Sequence, residues 1–267
     1  MRRLDMASAN NYSPSDYLLS IANIVSKYKK RTYELMRIQP GNKVLDVGCG
    51  PATDTISLAS IVGETGQVVG VDIDKEQIMH ANQKTLDAGV NKWVSHYLGD
   101  GHCLSLSSDH FDSVRSERVF QHSTNPHQLL QEMIRVTKPG GWALVFDTDW
   151  STMSFDTSLI DIEQKLKKFH VEKATKNGYI GRQLYGIFQQ SMLEDIYVEL
   201  APSFILDYQI SRQITWFDET EKFALEAGIV SPIELEKMHA ELERSNAEGK
   251  FFSAILQMIV VGRKPLG

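Results

Sequence analysis

The sequence predicts an α/β fold with a doubly wound, mostly parallel sheet, and three observations carry that prediction. Apolar runs of strand length recur at 43–47, 68–72, 93–98, 111–114 and 142–146, separated by segments with three- and four-residue apolar spacing. The first run, Val44-Leu45-Asp46-Val47, ends at Gly48-Cys49-Gly50, and a helical pattern starts directly behind it. A strand, helix and strand of this length cross over right-handed in a parallel sheet, which brings the strand ends to one edge.

Each element has its own signal. Residues 1–10 are polar; 13–37 read as a helix, with Leu18, Ile21, Ile24 and Val25 on one face and Tyr17, Tyr28 and Tyr33 on another. Pro40-Gly41-Asn42 turns the chain into the first strand, and Leu58, Ile61 and Val62 form one face of a helix ending at Gly63. Val68 to Asp72 is the second strand. Asp74 and Gln77 are spaced as an N-cap and its reciprocal partner for a helix through Ile78, Ala81 and Leu86 to Gly89. The third strand, 93–98, ends in Gly99-Asp100-Gly101, and the fourth opens at Phe111. Asn125 caps a helix with Pro126 at its first position and a stripe of Leu129, Leu130, Met133 and Val136. Lys138-Pro139-Gly140-Gly141 turns into the fifth strand, which closes on Asp147-Thr148-Asp149-Trp150. Beyond it, 159–169 is helical, with Lys165, Lys167 and Lys168 outside the apolar stripe, and Gly178 to Arg182 leads into a helix carrying Leu184, Ile187 and Phe188. Strand material at 196–199 and 203–210 is interrupted by Pro202, an edge-strand signal; 218–248 is acidic and helical, and 251–263 is a last strand.

A chain of 267 residues, 42% of them hydrophobic, can build a sizeable core. With 28 basic against 34 acidic residues the net charge is −6, which repels phosphate and argues against a nucleic-acid partner. Two cysteines, Cys49 and Cys103, make no disulfide framework and lack metal-ligand spacing, so no metal is expected and a reducing cytoplasm fits. The N-terminus shows no secretory pattern and no run reaches the roughly 20 apolar residues of a membrane span, so no membrane partner is expected.

The stretch 44–52 is the chemical centre. Small residues let the backbone turn sharply and approach a ligand, and free N–H groups at a helix start point outward, so this is a cofactor shelf. A dinucleotide fingerprint would read G-x-G-x-x-G/A, whereas here Thr53 stands at the third place. Asp46, ahead of the glycines, would repel a pyrophosphate and suits a cationic, amino-acid-bearing ligand. Asp72, 22 residues after Gly50, is placed to accept hydrogen bonds from a ribose diol, a role that nicotinamide and adenosyl ligands share.

With this D-x-G-x-G loop the chain resembles the class I S-adenosylmethionine-dependent methyltransferases, and the resemblance, carried by order and spacing, spans 44–150, including Arg135-Val136-Thr137-Lys138-Pro139-Gly140-Gly141. It implies a Rossmann-like sheet of seven strands whose last strand is antiparallel, and S-adenosyl-L-methionine as cofactor, leaving S-adenosyl-L-homocysteine. It implies that Asp46, Gly48 and Gly50 form the loop, Asp72 and Ile73 the ribose and ring contacts, and Asp100 and Gly101 the adenine contact. It also puts Ser116 to Arg118 beside the methionine part, by side chain or backbone. Arg31 on the N-terminal helix either reaches the ligand's carboxylate or is solvated. The Asn/Asp-Pro-Pro-aromatic tetrad of base-modifying relatives is missing, which together with the charge favours a small-molecule acceptor.

The expected organisation is a single domain: a helical cap over 1–40, a cofactor-binding half over 41–150, and helical insertions at 151–181 and 212–250 near the substrate. Trp150, Phe155, Phe169, Tyr185 and Trp216 either line an apolar pocket for an aromatic or polyketide-like metabolite or serve packing. In-line methyl transfer depends above all on positioning, worth roughly 7–11 kcal/mol against about 3–5 kcal/mol from a general base. His122 is the first candidate base, with Glu117, Asp147 and Asp149 as alternatives; a helix-capping role for His122 is equally open. Two other readings remain: a cofactor-binding protein without catalysis or a partner subunit, and an NAD(P)-dependent reductase. Monomer and homodimer are both compatible with the sequence.

Overall fold

The computed structural model describes residues 28–266. The apolar helix positions Leu18, Ile21, Ile24 and Val25, with Tyr17, lie outside the described residues; within them, residues 28–35 are helical (α1). The following elements are β1 (Lys43–Val47), α2 (Thr53–Val62), β2 (Gln67–Asp72), α3 (Lys75–Asp87), β3 (Val94–Leu98), β4 (Phe111–Glu117), α4 (Pro126–Val136) and β5 (Thr137–Phe155). Then come α5 (Ile160–Phe169), α6 (Ile180–Gln189), β6 (Glu194–Ile205), α7 (Tyr208–Thr215), α8 (Phe217–Glu226), α9 (Pro232–Ala247) and β7 (Ser253–Arg263).

The sheet order is β3-β2-β1-β4-β5-β7-β6, the Rossmann-like doubly wound arrangement expected. The pairs from β3 through β5 are parallel, because each is joined by a crossover too long for a hairpin. β7 runs antiparallel to β5: Gly140 N donates to Lys264 O at 2.9 Å, and Lys264 N donates to Gly141 O at 2.8 Å. The same bonds explain a departure from the sequence expectation. The Lys138–Gly141 turn is absorbed into a 19-residue β5, with a register shift opposite Phe111 and Ser113 and Gly140 at φ 77°.

Two other elements differ. Strand material at 196–199 and 203–210 forms one continuous β6 ending at Ile205; Pro202 is tolerated because β6 is the sheet's edge. From Tyr208 the chain is helical because Asp207 caps it, accepting from Ile210 N at 2.8 Å, and Tyr208, Ser211, Ile214 and Thr215 form the buried face. The caps of α3 and α4 are as expected on their Asp74 and Asn125 side. The reciprocal bond from Gln77 is not made, and its Oε1 takes no donor.

The chain divides into two compact units. The larger comprises Tyr28–Asp147, Ile180–Leu200 and the residues from Met258 on; its core includes Leu45, Val69, Val114, Phe120, Leu129, Met133, Val145 and Phe188. The other comprises Thr148–Tyr179 and Ala201–Gln257, with a core of Trp150, Phe155, Leu166, Phe169, Tyr208, Phe217, Met238 and Phe251. Burying these side chains at about 25 cal/mol per Å² of apolar surface is the driving force for each unit.

Candidate cofactor-binding site

The parallel register brings the predicted residues of the larger unit to one edge. Val47 pairs with Val71 and with Ser116, and Asp72 pairs with Leu98, so Gly48, Asp72 and the Gly99-Asp100-Gly101 turn all follow the C-terminal ends of adjacent strands. Gly48 N and Cys49 N both donate to Val71 O, at 2.7 and 3.1 Å, which folds the loop back over β2. The two loop glycines serve different ends. A Cβ on Gly48 would stand 2.1 Å from Val119 Cγ2, so packing excludes one; a Cβ on Gly50 would meet no atom within 4 Å, so the space beside it is open. Ala52, at φ 68°, starts α2 without a side-chain cap.

Asp72 closes the loop. Its Oδ2 accepts from Gly50 N at 2.8 Å and its Oδ1 from Asp74 N at 2.9 Å. Burial raises its pKa and outweighs those bonds, which act the other way. Ile73 beside it is 73% exposed, an apolar surface free to lie against a ring. Asp100 Oδ1 accepts from His102 N at 2.9 Å and faces His102 Nδ1 at 2.7 Å; the backbone bond, then the ring, lowers its pKa. Gly101 is required by packing, since a Cβ would come within 2.7 Å of Leu129 and 2.8 Å of Val47.

Asp46 heads a buried ionic cluster that the sequence alone did not reveal. Arg115, fully buried on β4, stands 3.5 Å from Asp46, 3.0 Å from Asp54 and 2.5 Å from Glu117. Lys29 on α1 reaches Asp54 at 2.6 Å and Glu117 at 3.0 Å, and Tyr33 donates to Asp54 at 2.5 Å. Burial opposes the charge on Lys29, but Glu117 and Asp54 outweigh it and raise its pKa; burial likewise opposes Asp54's charge, yet Arg115 and Lys29 lower its pKa. Three carboxylates therefore face two cations, and burial raises Asp46, the carboxylate farthest from a cation, to about 7. The signal in the sequence was an arginine in the middle of a strand, Phe111–Glu117; two of its three carboxylate partners, Asp46 and Asp54, are remote in the chain.

Other predicted residues are placed as follows. Arg31 donates to Glu199 at 2.9 Å and to Glu34 at 3.1 Å, while from the same helix Lys29 reaches the cluster. Ser116 is buried and its hydroxyl donates to Val47 O at 2.9 Å, so it locks β4 to β1 and any ligand contact there falls to backbone or to the next residues. His122 ends a 3-10 turn, Phe120–His122, and is half-buried. Of the other possible bases, Glu117 is held by Lys29 and Arg115, while Asp147 and Asp149 are buried, accepting from Gln121 N and from Ser151. Trp150, Phe155 and Phe169 belong to the core of the smaller unit, Phe155 packing 5.0 Å from the Phe217 ring, whereas Tyr185 is exposed on α6.

This arrangement fits an adenosyl sulfonium rather than a dinucleotide. The Gly50 amide that would cradle a pyrophosphate is committed to Asp72, and Asp54 stands in the first turn of α2, where its carboxylate disfavours a second anion. The open side of Gly50 leaves room for the ligand. Among the described residues no group of His, Cys, Asp and Glu could hold a metal ion, and no helix is long and apolar enough to cross a membrane.

Comparison with known proteins agrees. A family described as "Methyltransferase domain" matches residues 38–199. An uncharacterized 37.1 kDa protein in transposon TN4556 of Streptomyces fradiae is 29% identical over 245 residues, 92% of this chain and 69% of that protein. The ubiquinone/menaquinone biosynthesis C-methyltransferase of Ectopseudomonas mendocina is 38% identical over 120 residues, covering 45% of this chain and 47% of the relative. The chain thus spans about half the length of such C-methyltransferase relatives. Among solved structures, a putative methyltransferase from Bacillus halodurans superposes with a TM-score of 0.64 at 15% identity, over 90% of this chain and 99% of that one, which shows the shared fold. From the match and the fold together, the chain belongs to the methyltransferase-domain family and is a class I S-adenosylmethionine-dependent methyltransferase.

Proposed function

We propose that the protein methylates a small-molecule acceptor, an aromatic or polyketide-like metabolite of secondary metabolism, by in-line transfer. The observation that carries the cofactor half of this reading is the convergence of Asp46, Asp72 and Asp100 on the strand edge that also holds the open face of Gly50. The relative named as a biosynthetic C-methyltransferase supports a small acceptor, as do the net charge of −6 and the missing base-modifying tetrad. A cytoplasmic enzyme, monomeric or homodimeric, fits the same reading.

S-adenosylmethionine supplies, when bound, a methyl group on a positively charged sulfur. In this assignment Asp72 accepts from the ribose hydroxyls, Ile73 covers the ring, Asp100 and the backbone at Gly101 take the adenine edge, and Asp46 faces the cationic end. Because positioning is worth more than proton transfer in such a displacement, the chain's main contribution is to fix the two reactants. His122 is the residue we assign to take a proton from an acceptor that carries one: it is half-buried, whereas Asp147 and Asp149 are buried and Glu117 is ion-paired. We assign acceptor selection to the helical segments 151–181 and 212–250.

The test is calorimetric titration of Asp72→Ala with S-adenosylhomocysteine beside a thermal melt. Affinity is expected to fall about tenfold or more, a larger effect than the loss of stability from the two loop bonds Asp72 accepts. Parent-like affinity in the variant would remove the ribose assignment.

A further inference from the structure

His102 stands outside every motif of the sequence, yet it joins two loops of the larger unit. Its backbone N–H and its ring Nδ1 both meet Asp100 Oδ1, at 2.9 and 2.7 Å. Its Nε2 lies 2.7 Å from Ser123 Oγ, which itself accepts from Asn125 N at 3.1 Å, and its carbonyl accepts from Gln128 Nε2 at 2.9 Å. Asp100, an ionised carboxylate, can only accept, so the ring presents Nδ1–H to it while Ser123 Oγ holds the other side of the ring at Nε2.

A serine, histidine and aspartate linked in this order share the connectivity of a nucleophile, base and orienting group. Burial decides against that use: Ser123 is 4% exposed, so no substrate carbonyl reaches its oxygen. The exposed end of the chain is Asp100, whose side chain is 53% exposed. Such a carboxylate, on a turn after β3, would sample several rotamers; two donors on Oδ1 hold it in one and leave Oδ2 without a protein donor among the described residues.

We propose that His102 is a positioning residue for base recognition: braced by Ser123, it aims Asp100 Oδ2 at the exocyclic amine of the adenine, and so makes the site selective for a 6-amino over a 6-oxo purine. This rests on the adenosyl reading of the site. A 6-amino group donates to a carboxylate, whereas a 6-oxo group presents a second acceptor and leaves both unpaired, which is how a site rejects an analogue lacking its donor.

The experiment is calorimetric titration of the full chain with S-adenosylhomocysteine and with S-inosylhomocysteine. The parent is expected to prefer the adenosyl ligand by about tenfold to a hundredfold. In His102→Ala that preference falls about tenfold, through loss of adenosyl affinity with inosyl affinity nearly unchanged. His102→Asn, whose amide can still donate to Asp100, regains part of it, and Ser123→Ala gives a smaller loss of the same kind. Thermal melts identify any variant that fails to fold, in which case Ser123→Ala and His102→Asn decide. Equal loss of both ligands in the variants, or undiminished preference in them, overturns the role of His102. A parent that binds neither ligand overturns the adenosyl reading instead, and one that binds both equally overturns the base selectivity alone.

Discussion

Gly48 and Gly50 are two residues apart and both have positive φ, 77° and 50°, yet alanine at the two positions should do opposite things. At Gly48 the new methyl would stand 2.1 Å from Val119 Cγ2. Left-handed backbone costs a non-glycine residue roughly 1–2 kcal/mol and overpacking roughly 1–3 kcal/mol, so Gly48→Ala should lose about 2–5 kcal/mol of stability. At Gly50 no atom lies within 4 Å of the methyl, and only the backbone cost of about 1–2 kcal/mol applies. That methyl instead projects into the space assigned to the ligand, and affinity for S-adenosylhomocysteine should fall at least tenfold. Urea denaturation measures the first loss and calorimetry the second. Adding Val119→Ala to Gly48→Ala should recover the steric part, a coupling of about 1–3 kcal/mol in a double-mutant cycle, and leave the backbone part in place. A Gly48→Ala variant as stable as the parent, or one with no coupling to Val119, would refute this division. A Gly50→Ala variant that binds as the parent does would take the ligand away from that side of the loop.

Three more outcomes follow from the buried groups. Arg115→Met leaves Asp46, Asp54 and Glu117 with Lys29 as their remaining close cation, and should cost about 3–5 kcal/mol in the same denaturation assay. Asp46 has a folded pKa of about 7 against an ordinary 3.8, so the folded state holds a proton that the unfolded chain releases; stability should therefore fall as pH rises from about 4 to 7, and Asp46→Asn should flatten that slope. A parent and Asp46→Asn with parallel pH profiles would contradict it. Cys103 is exposed and Cys49 is buried, with a thiol pKa pushed up by burial and by Asp46; a thiol reagent should modify one cysteine in the native protein and both in denaturant, as mass spectrometry would count.

The sequence alone determined the local features and their order. The apolar runs at 43–47 and 68–72 are buried strands, the caps Asp74 and Asn125 start helices, and Pro202 marks an edge strand, because each depends on neighbours within a few residues. The crossover rule, applied to those runs, brings Asp46, Asp72 and Asp100 to one edge. Where a distant partner decided the outcome, sequence was insufficient. The turn at 138–141 became strand because Lys264 pairs with it; the helix from Tyr208 is a local exception, started by the Asp207 cap on Ile210 N that an alternating apolar pattern masked. The same holds at the site: Arg115 finds carboxylates on β1 and α2 as well as on its own strand, Lys29 reaches that cluster from α1, and His102 is joined to Ser123. Short-range patterning fixes which face of an element is buried, but charges are paired only when folding brings remote segments within a few ångströms, and that pairing is a property of the tertiary structure.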